Sequence, residues 1–125
     1  MKLSHIDTIL LVENIETSRA FYSGTLGLEL LHDWQTMLVY KERFAILQHD
    51  ALQPVEEAQK FVQAGAQGRG NVVVYFQSDD LEQSFAELQA AGAKVLHGIL
   101  QLPWERVFRI YDPDGYVIEI GEPHA

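Results

Sequence analysis

The sequence predicts an α+β protein made of two βαβββ modules, and three observations carry that reading. The first is an internal repeat: ValGluAsnIleGluThrSer at 12–18 superposes on the stretch ending at Ser84 with a shift of 66, Ile15 falling on Leu81 and Ser18 on Ser84. The second is that each half opens with a β-branched and aliphatic run, followed by a helically spaced segment that stops at a glycine, Gly27 or Gly92. The third is that three short apolar stretches with polar breaks follow each glycine, as strands would. Neither half alone could bury both a helix and a sheet face, so a repeat of this size points to a paired architecture.

Taken in order, Ser4 to Val12 reads as a strand, with Asn14, Glu16 and Thr17 available to cap the helix that follows. Thr17 to Leu26 carries Ala20, Phe21 and Leu26 at roughly helical spacing. Leu28 to Trp34, Thr36 to Lys41 and Arg43 to His49 are the next three strands. Ala51 to Gly70 breaks the pattern with Pro54, a short helical stretch and a glycine-rich connector. Asn71 to Gln77 is then a strand, Ser78 or Asp79 a cap, and Leu81 to Ala91 a helix. Lys94 to Ile99, Arg106 to Tyr111 and Tyr116 to Gly121 close the second set, with AspProAspGly as the turn before the last strand.

Composition narrows the function. A formal net charge of −9 with nine Lys and Arg disfavours nucleic acid and anionic membrane as partners, because phosphate binding draws on clustered positive charge. A chain without cysteine has no disulfide framework and no thiolate chemistry, which suits a reducing cytoplasm. The apolar run Ile9 to Val12 is too short for a signal-peptide core or a membrane span. The glycine-rich segment lacks the Lys and Ser or Thr of a phosphate loop, and no nucleophile elbow or HisGluxxHis motif occurs.

The pairing of PheTyrSerGlyThrLeuGlyLeuGluLeu at 21–30 with TyrAspProAspGlyTyrValIleGluIle at 111–120 resembles the vicinal oxygen chelate superfamily: glyoxalase I, fosfomycin and bleomycin resistance proteins, and extradiol dioxygenases. The resemblance implies one domain over 1–125, with modules at 1–50 and 71–125 joined by a connector at 51–70, and the two βαβββ modules forming a cup-shaped mixed sheet. For enzymatic members it also implies a divalent metal. The ligands there are a His on the first strand of one module, a His or Glu on the first strand of the other, and a Glu on the last strand.

His5 and Glu119 stand at two of those positions. Asn71, the repeat-equivalent of His5, offers a neutral amide where an imidazole is expected. The first-half counterpart of Glu119 falls at Ile46 or Gln48, neither of which is anionic, and His49 points the opposite way by period two. The metal set is therefore incomplete and implies no definite cofactor; a divalent ion, if held, would be bound weakly, with an oxygen of Asn71 or Gln48 completing its sphere. The plainer reading is a hydrogen-bonded His5–Glu119 pair on the cup wall.

Alternation gives the remaining candidates. Val72, Val74 and Phe76 form an apolar face for the helix, leaving Asn71, Val73 and Tyr75 toward the cup. Ile118 and Ile120 likewise send Glu119 to the cup, where its partner is expected to be His5, Arg106, or an ordered water or ion. ProTrpGluArgValPheArgIleTyr supplies Trp104, Arg106 and Arg109. The two arginines point to opposite faces, and Arg106, following the loop at the cup mouth, is the preferred pocket residue; its plainer role is a surface pair with Glu105 or Asp112. Trp34 and Phe44 are the aromatic candidates of the first half. The expected ligand-binding set is Asn71, Tyr75, Trp104, Arg106, Gln48 and Trp34. The leading function is a cytoplasmic, homodimeric protein that binds or sequesters a small molecule, as bleomycin resistance proteins do. The alternative is a divalent-metal-dependent lyase, isomerase or dioxygenase acting on vicinal oxygens, with Glu119 in the catalytic site.

Overall fold

A computed structural model describes residues 1–123. His124 and Ala125, the end of the predicted second module, lie outside the described residues. The chain forms two compact units, Met1–Gln67 and the residues from Gly68 on.

The first unit runs β1 (Thr8–Val12), α1 (Ile15–Arg19) continuing into a π-helical turn (Ala20–Thr25), β2 (Leu30–Asp33), β3 (Met37–Tyr40) and β4 (Phe44–Gln48), followed by α2 (Val55–Ala58). Its sheet has the order β1-β4-β3-β2, with β1 and β4 parallel and the other pairs antiparallel. The second unit repeats the plan with β5 (Val73–Gln77), α3 (Leu81–Ala90), β6 (Lys94–Gln101), β7 (Arg106–Tyr111) and β8 (Val117–Gly121), in the order β5-β8-β7-β6. Both modules are βαβββ and both sheets are mixed, as the repeat predicts.

The repeat extends to the helix caps. The Asn14 side chain accepts from the backbone N–H of Glu16 and Thr17 at 3.0 and 3.1 Å, and Asp80, 66 positions later, accepts from Gln83 at 3.1 Å. The second cap is therefore Asp80 and not Ser78 or Asp79. Ser78 is otherwise engaged: its hydroxyl meets the Asp80 backbone and lies 2.6 Å from the Ser84 hydroxyl. Both helices end before a glycine in the left-handed region, Gly27 at φ +69° and Gly92 at φ +82°, where a Cβ would be strained.

The first strands start later than expected. β1 begins at Thr8 opposite Phe44, and β5 at Val73 opposite Val117. In both ladders the partner strand has only just left its turn, so His5 and Asn71 have no strand to pair with and precede β1 and β5.

Under α1 and the π-turn, Tyr22 packs edge-on to Phe44 with ring centroids 5.4 Å apart, and Leu10, Val12, Leu38 and Ile46 are buried. Phe44 is thus core and not a pocket aromatic. In the second unit Phe85 of α3 meets Phe108 at 5.0 Å, and Phe108, Ile110, Ile118 and Ile120 are all buried. Each such side chain contributes about 1.5–3 kcal/mol on leaving water. The turn into β8 is closed by the Asp112 carboxylate, which accepts from the N–H of Asp114 at 2.8 Å and of Tyr116 at 2.9 Å. Turn chemistry accounts for Asp112 there.

Candidate functional site

Strand register arranges the face of the second sheet that lies away from α3. Its middle row crosses all four strands as Tyr75 on β5, Glu119 on β8, Arg109 on β7 and His97 on β6. One adjoining row is Val73, Val117, Tyr111 and Lys94, and the other is Gln77, Gly121, Val107 and Leu100. The apolar residues Ile118, Ile120, Phe108 and Ile110 alternate with these and face the helix, which forces Glu119 and Arg109 to the same side.

From Glu119 through Arg109 to His97 the middle row is a continuous polar chain. Arg109 donates from Nε to Glu119 Oε1 at 2.7 Å, and its Nη2 lies 2.6 Å from the same oxygen. The Arg109 and Glu119 side chains are 28% and 17% exposed, so water screens the pair only partly. Arg109 Nη1 lies 3.0 Å from His97 Nε2, and His97 Nδ1 lies 2.8 Å from the Gly98 carbonyl oxygen. A carbonyl only accepts, so Nδ1 carries the proton and Nε2 accepts from the guanidinium. His97 is held as the neutral Nδ1–H tautomer.

Beside this row sits a carboxylate the sequence did not single out for binding. Glu105, buried in the loop between β6 and β7, accepts from the Tyr75 hydroxyl at 2.7 Å, and Gln77 Nε2 donates to that hydroxyl at 2.9 Å. The space exists because position 121 is glycine: a Cβ there would lie 2.9 Å from Glu105 Cδ and 3.0 Å from the Tyr75 oxygen. Burial pushes the Tyr75 phenol up, and the neighbouring Glu105 and Glu119 carboxylates push it the same way.

The first module lacks this row. Ile9 corresponds to Tyr75 in the repeat, and it pairs with Ala45, which pairs with Val39, which pairs with His32. The counterpart of Glu119 is therefore Ala45 and not Ile46 or Gln48. Gln48 braces the end of β4 against the start of α1, its Oε1 accepting from Ile15 N at 2.8 Å and its Nε2 donating to Glu13 O at 2.5 Å.

The other predicted residues are dispersed. His5 is exposed ahead of β1, with Nε2 3.2 Å from Thr8 Oγ1, and Asn71 is exposed ahead of β5. Trp104 and Trp34 are exposed; Trp34 stacks on His32 with centroids 5.1 Å apart and planes 6° from parallel. Arg106 lies on the α3 side of the sheet. Its Nε donates to Glu122 at 2.9 Å and its Nη1 to Glu82 at 2.6 Å, and it holds both carboxyls below the usual range. Its partners are thus neither Glu105 nor Asp112. Arg109 takes the place expected of Arg106 as the partner of Glu119. The alternation that placed Ile118 and Ile120 also runs through Phe108 and Ile110, and it was the available signal for Arg109. Glu105 sits in a loop, where period two gives no direction.

The residues do not fit a divalent metal at Glu119. Oε1 is held by a guanidinium whose charge opposes a second cation beside it, and among the described residues no group of three His, Asp or Glu is placed to hold an ion.

Two mixed βαβββ sheets define a glyoxalase-like class of protein. A family model described as a glyoxalase-like domain matches residues 5–125, and the chain belongs to that family, within the vicinal oxygen chelate superfamily. A crystal structure of a protein of unknown function from Agrobacterium tumefaciens is 32% identical, with a TM-score of 0.86, covering 98% of this chain and 96% of its own. TnmS3, an antibiotic binding protein from Streptomyces, is 26% identical with a TM-score of 0.69 and covers 98% of both chains. A lactoylglutathione lyase from Agrobacterium tumefaciens shares the fold at 22% identity and a TM-score of 0.70, covering 97% and 94%. The search of curated proteins gave no match.

Proposed function

We propose that the protein binds or sequesters a small molecule on the β5–β8–β7–β6 face without metal chemistry. The observation that carries this reading is the Arg109–Glu119 pair, which engages the carboxylate that the family's enzymes would give to a metal. The built surroundings support it: Tyr75 is fixed by Glu105 and Gln77, and Arg109 by Glu119 and His97, so the polar groups are positioned before any ligand arrives. The likeness to an antibiotic binding protein points the same way. A homodimer in the cytoplasm belongs to this reading, and light scattering on the purified protein tests the dimer.

The test is a thermal-shift screen of a compound library on the wild type and Glu119→Gln, each with and without manganese, nickel or zinc, since a ligand of the folded state raises its apparent stability. Metal-independent stabilisation by organic compounds, altered in the variant, is expected. Stabilisation that requires metal and vanishes in the variant would establish the enzyme alternative instead.

A further inference from the structure

We propose that this face selects an uncharged ligand that presents a hydrogen-bond donor beside an acceptor on a planar frame, as a primary amide or a lactam does; the proposal rests on the binding reading above and names the ligand class for it. Glu119 gives Oε1 to Arg109, and Oε2 has no partner among the described residues. Ser18 Oγ is the buried polar side-chain atom without a partner among those residues, so Glu119 Oε2 is open to solvent. A carboxylate oxygen only accepts, and Arg109 supplies the complement. A guanidinium has five N–H bonds. Nε donates to Glu119, Nη2 lies against the same oxygen and Nη1 against His97, which leaves one N–H on each Nη. The ion pair thus keeps both an acceptor and donors for a ligand.

The ligand's lack of charge follows from the pair itself. Glu119 and Arg109 cancel, and His97 adds no charge in the tautomer its bonds require. A cation drawn to Oε2 meets the guanidinium, and an anion drawn to the remaining Nη hydrogens meets the carboxylate, so each charged ligand is opposed by one member of a pair that water screens only partly. A neutral group with both a donor and an acceptor is satisfied by both members and opposed by neither. Lys94, the other cation of this face, is at the far edge strand, its ammonium 5.4 Å from the ring centre of Tyr111. The aromatic part of the ligand is set by β5: Tyr75, in register with Glu119, is 41% exposed, and Val73, on the same face, is 56% exposed. Glu105 and Gln77 hold the Tyr75 hydroxyl, so the ring is the part left to pack on a ligand, by offset stacking or edge contact.

Benzamide, benzamidine and benzoate share one planar shape and differ in charge, benzamidine being the cation and benzoate the anion. Titrated into the nitrogen-15-labelled full chain and followed by amide chemical shifts, benzamide is expected to move the amides of β5 and β8 and to bind about tenfold more tightly than either charged probe. N,N-dimethylbenzamide, which keeps the carbonyl and lacks the N–H, should lose that advantage. In Glu119→Gln the order should shift toward benzoate and in Arg109→Gln toward benzamidine, because each change removes the charge that opposed that probe. Benzamidine, benzoate or dimethylbenzamide binding to the wild type as tightly as benzamide, at the same amides, would overturn the assignment of a neutral donor and acceptor while leaving the binding reading intact. Failure of every probe to move those amides would also overturn it, and the thermal-shift library then judges binding separately. The wild-type comparison of the probes decides the matter even if a variant folds poorly.

Discussion

Arg109 and Glu119 face each other across β7 and β8, with Arg109 Nε 2.7 Å from Glu119 Oε1. This pair explains how a largely buried carboxylate is accommodated on this face of the sheet. Desolvating it without a partner would be costly, and the arginine directly opposite removes that cost. A double-mutant cycle with Arg109→Gln and Glu119→Gln should give a coupling of about 1–3 kcal/mol by denaturant unfolding. Simple additivity of the two changes would mean that the pair contributes nothing.

Gly121 is the second place where one residue sets the site. Gly121→Ala would drive a methyl group against Glu105 Cδ and the Tyr75 oxygen, so it should cost about 1–3 kcal/mol and weaken binding at β5. Adding Glu105→Ala should restore part of the stability but not the binding, as thermal melts and ligand titrations would register.

The repeat contains a natural control on buried hydroxyls. Ser84 meets the Ser78 hydroxyl at 2.6 Å, whereas its counterpart Ser18 is fully buried with no partner for its hydroxyl among the described residues, because Val12 stands where Ser78 would be. Ser18→Ala should therefore raise stability, by up to about 1 kcal/mol, and Ser84→Ala should lower it by about 1 kcal/mol. Equal losses in both would mean that Ser18 is satisfied in solution.

Tyr116 gives a pH dependence. Burial first, and then Asp114 and Asp112, push its phenol up to about 12, above the usual value near 10. A raised folded-state value means that its contribution is fully present below pH 10 and is lost as pH rises toward 12. Phenolate absorbance should show a late-ionising tyrosine that disappears in Tyr116→Phe, with stability falling across that interval and the variant flattening the fall.

The fold was legible because its signals are local and occur twice: Gly27 and Gly92 stop the helices and the strands between them alternate, whereas of the two caps Asn14 was read correctly and the second fell at Asp80 and not at Ser78 or Asp79. The site was legible only in part. Period two placed Glu119 and Tyr75 on one face, and the structure agrees. Applied to Phe108 and Ile110 it would also have placed Arg109 there, but proximity to a loop favoured Arg106, which α3 claims through Glu82. The Tyr75–Glu105 contact depends on how a loop returns over Gly121, and the β1 start depends on where its partner leaves a turn. Strand alternation determines neither.

The most direct test of the central claim, that Glu119 is held by Arg109 for recognition and not for metal, is a calorimetric titration of the metal-stripped chain with nickel, zinc and manganese, on the wild type and Glu119→Gln. The prediction is no saturable site tighter than about 1 mM at Glu119, and the same trace from the variant. One ion bound per chain with micromolar affinity, lost in Glu119→Gln, would contradict it.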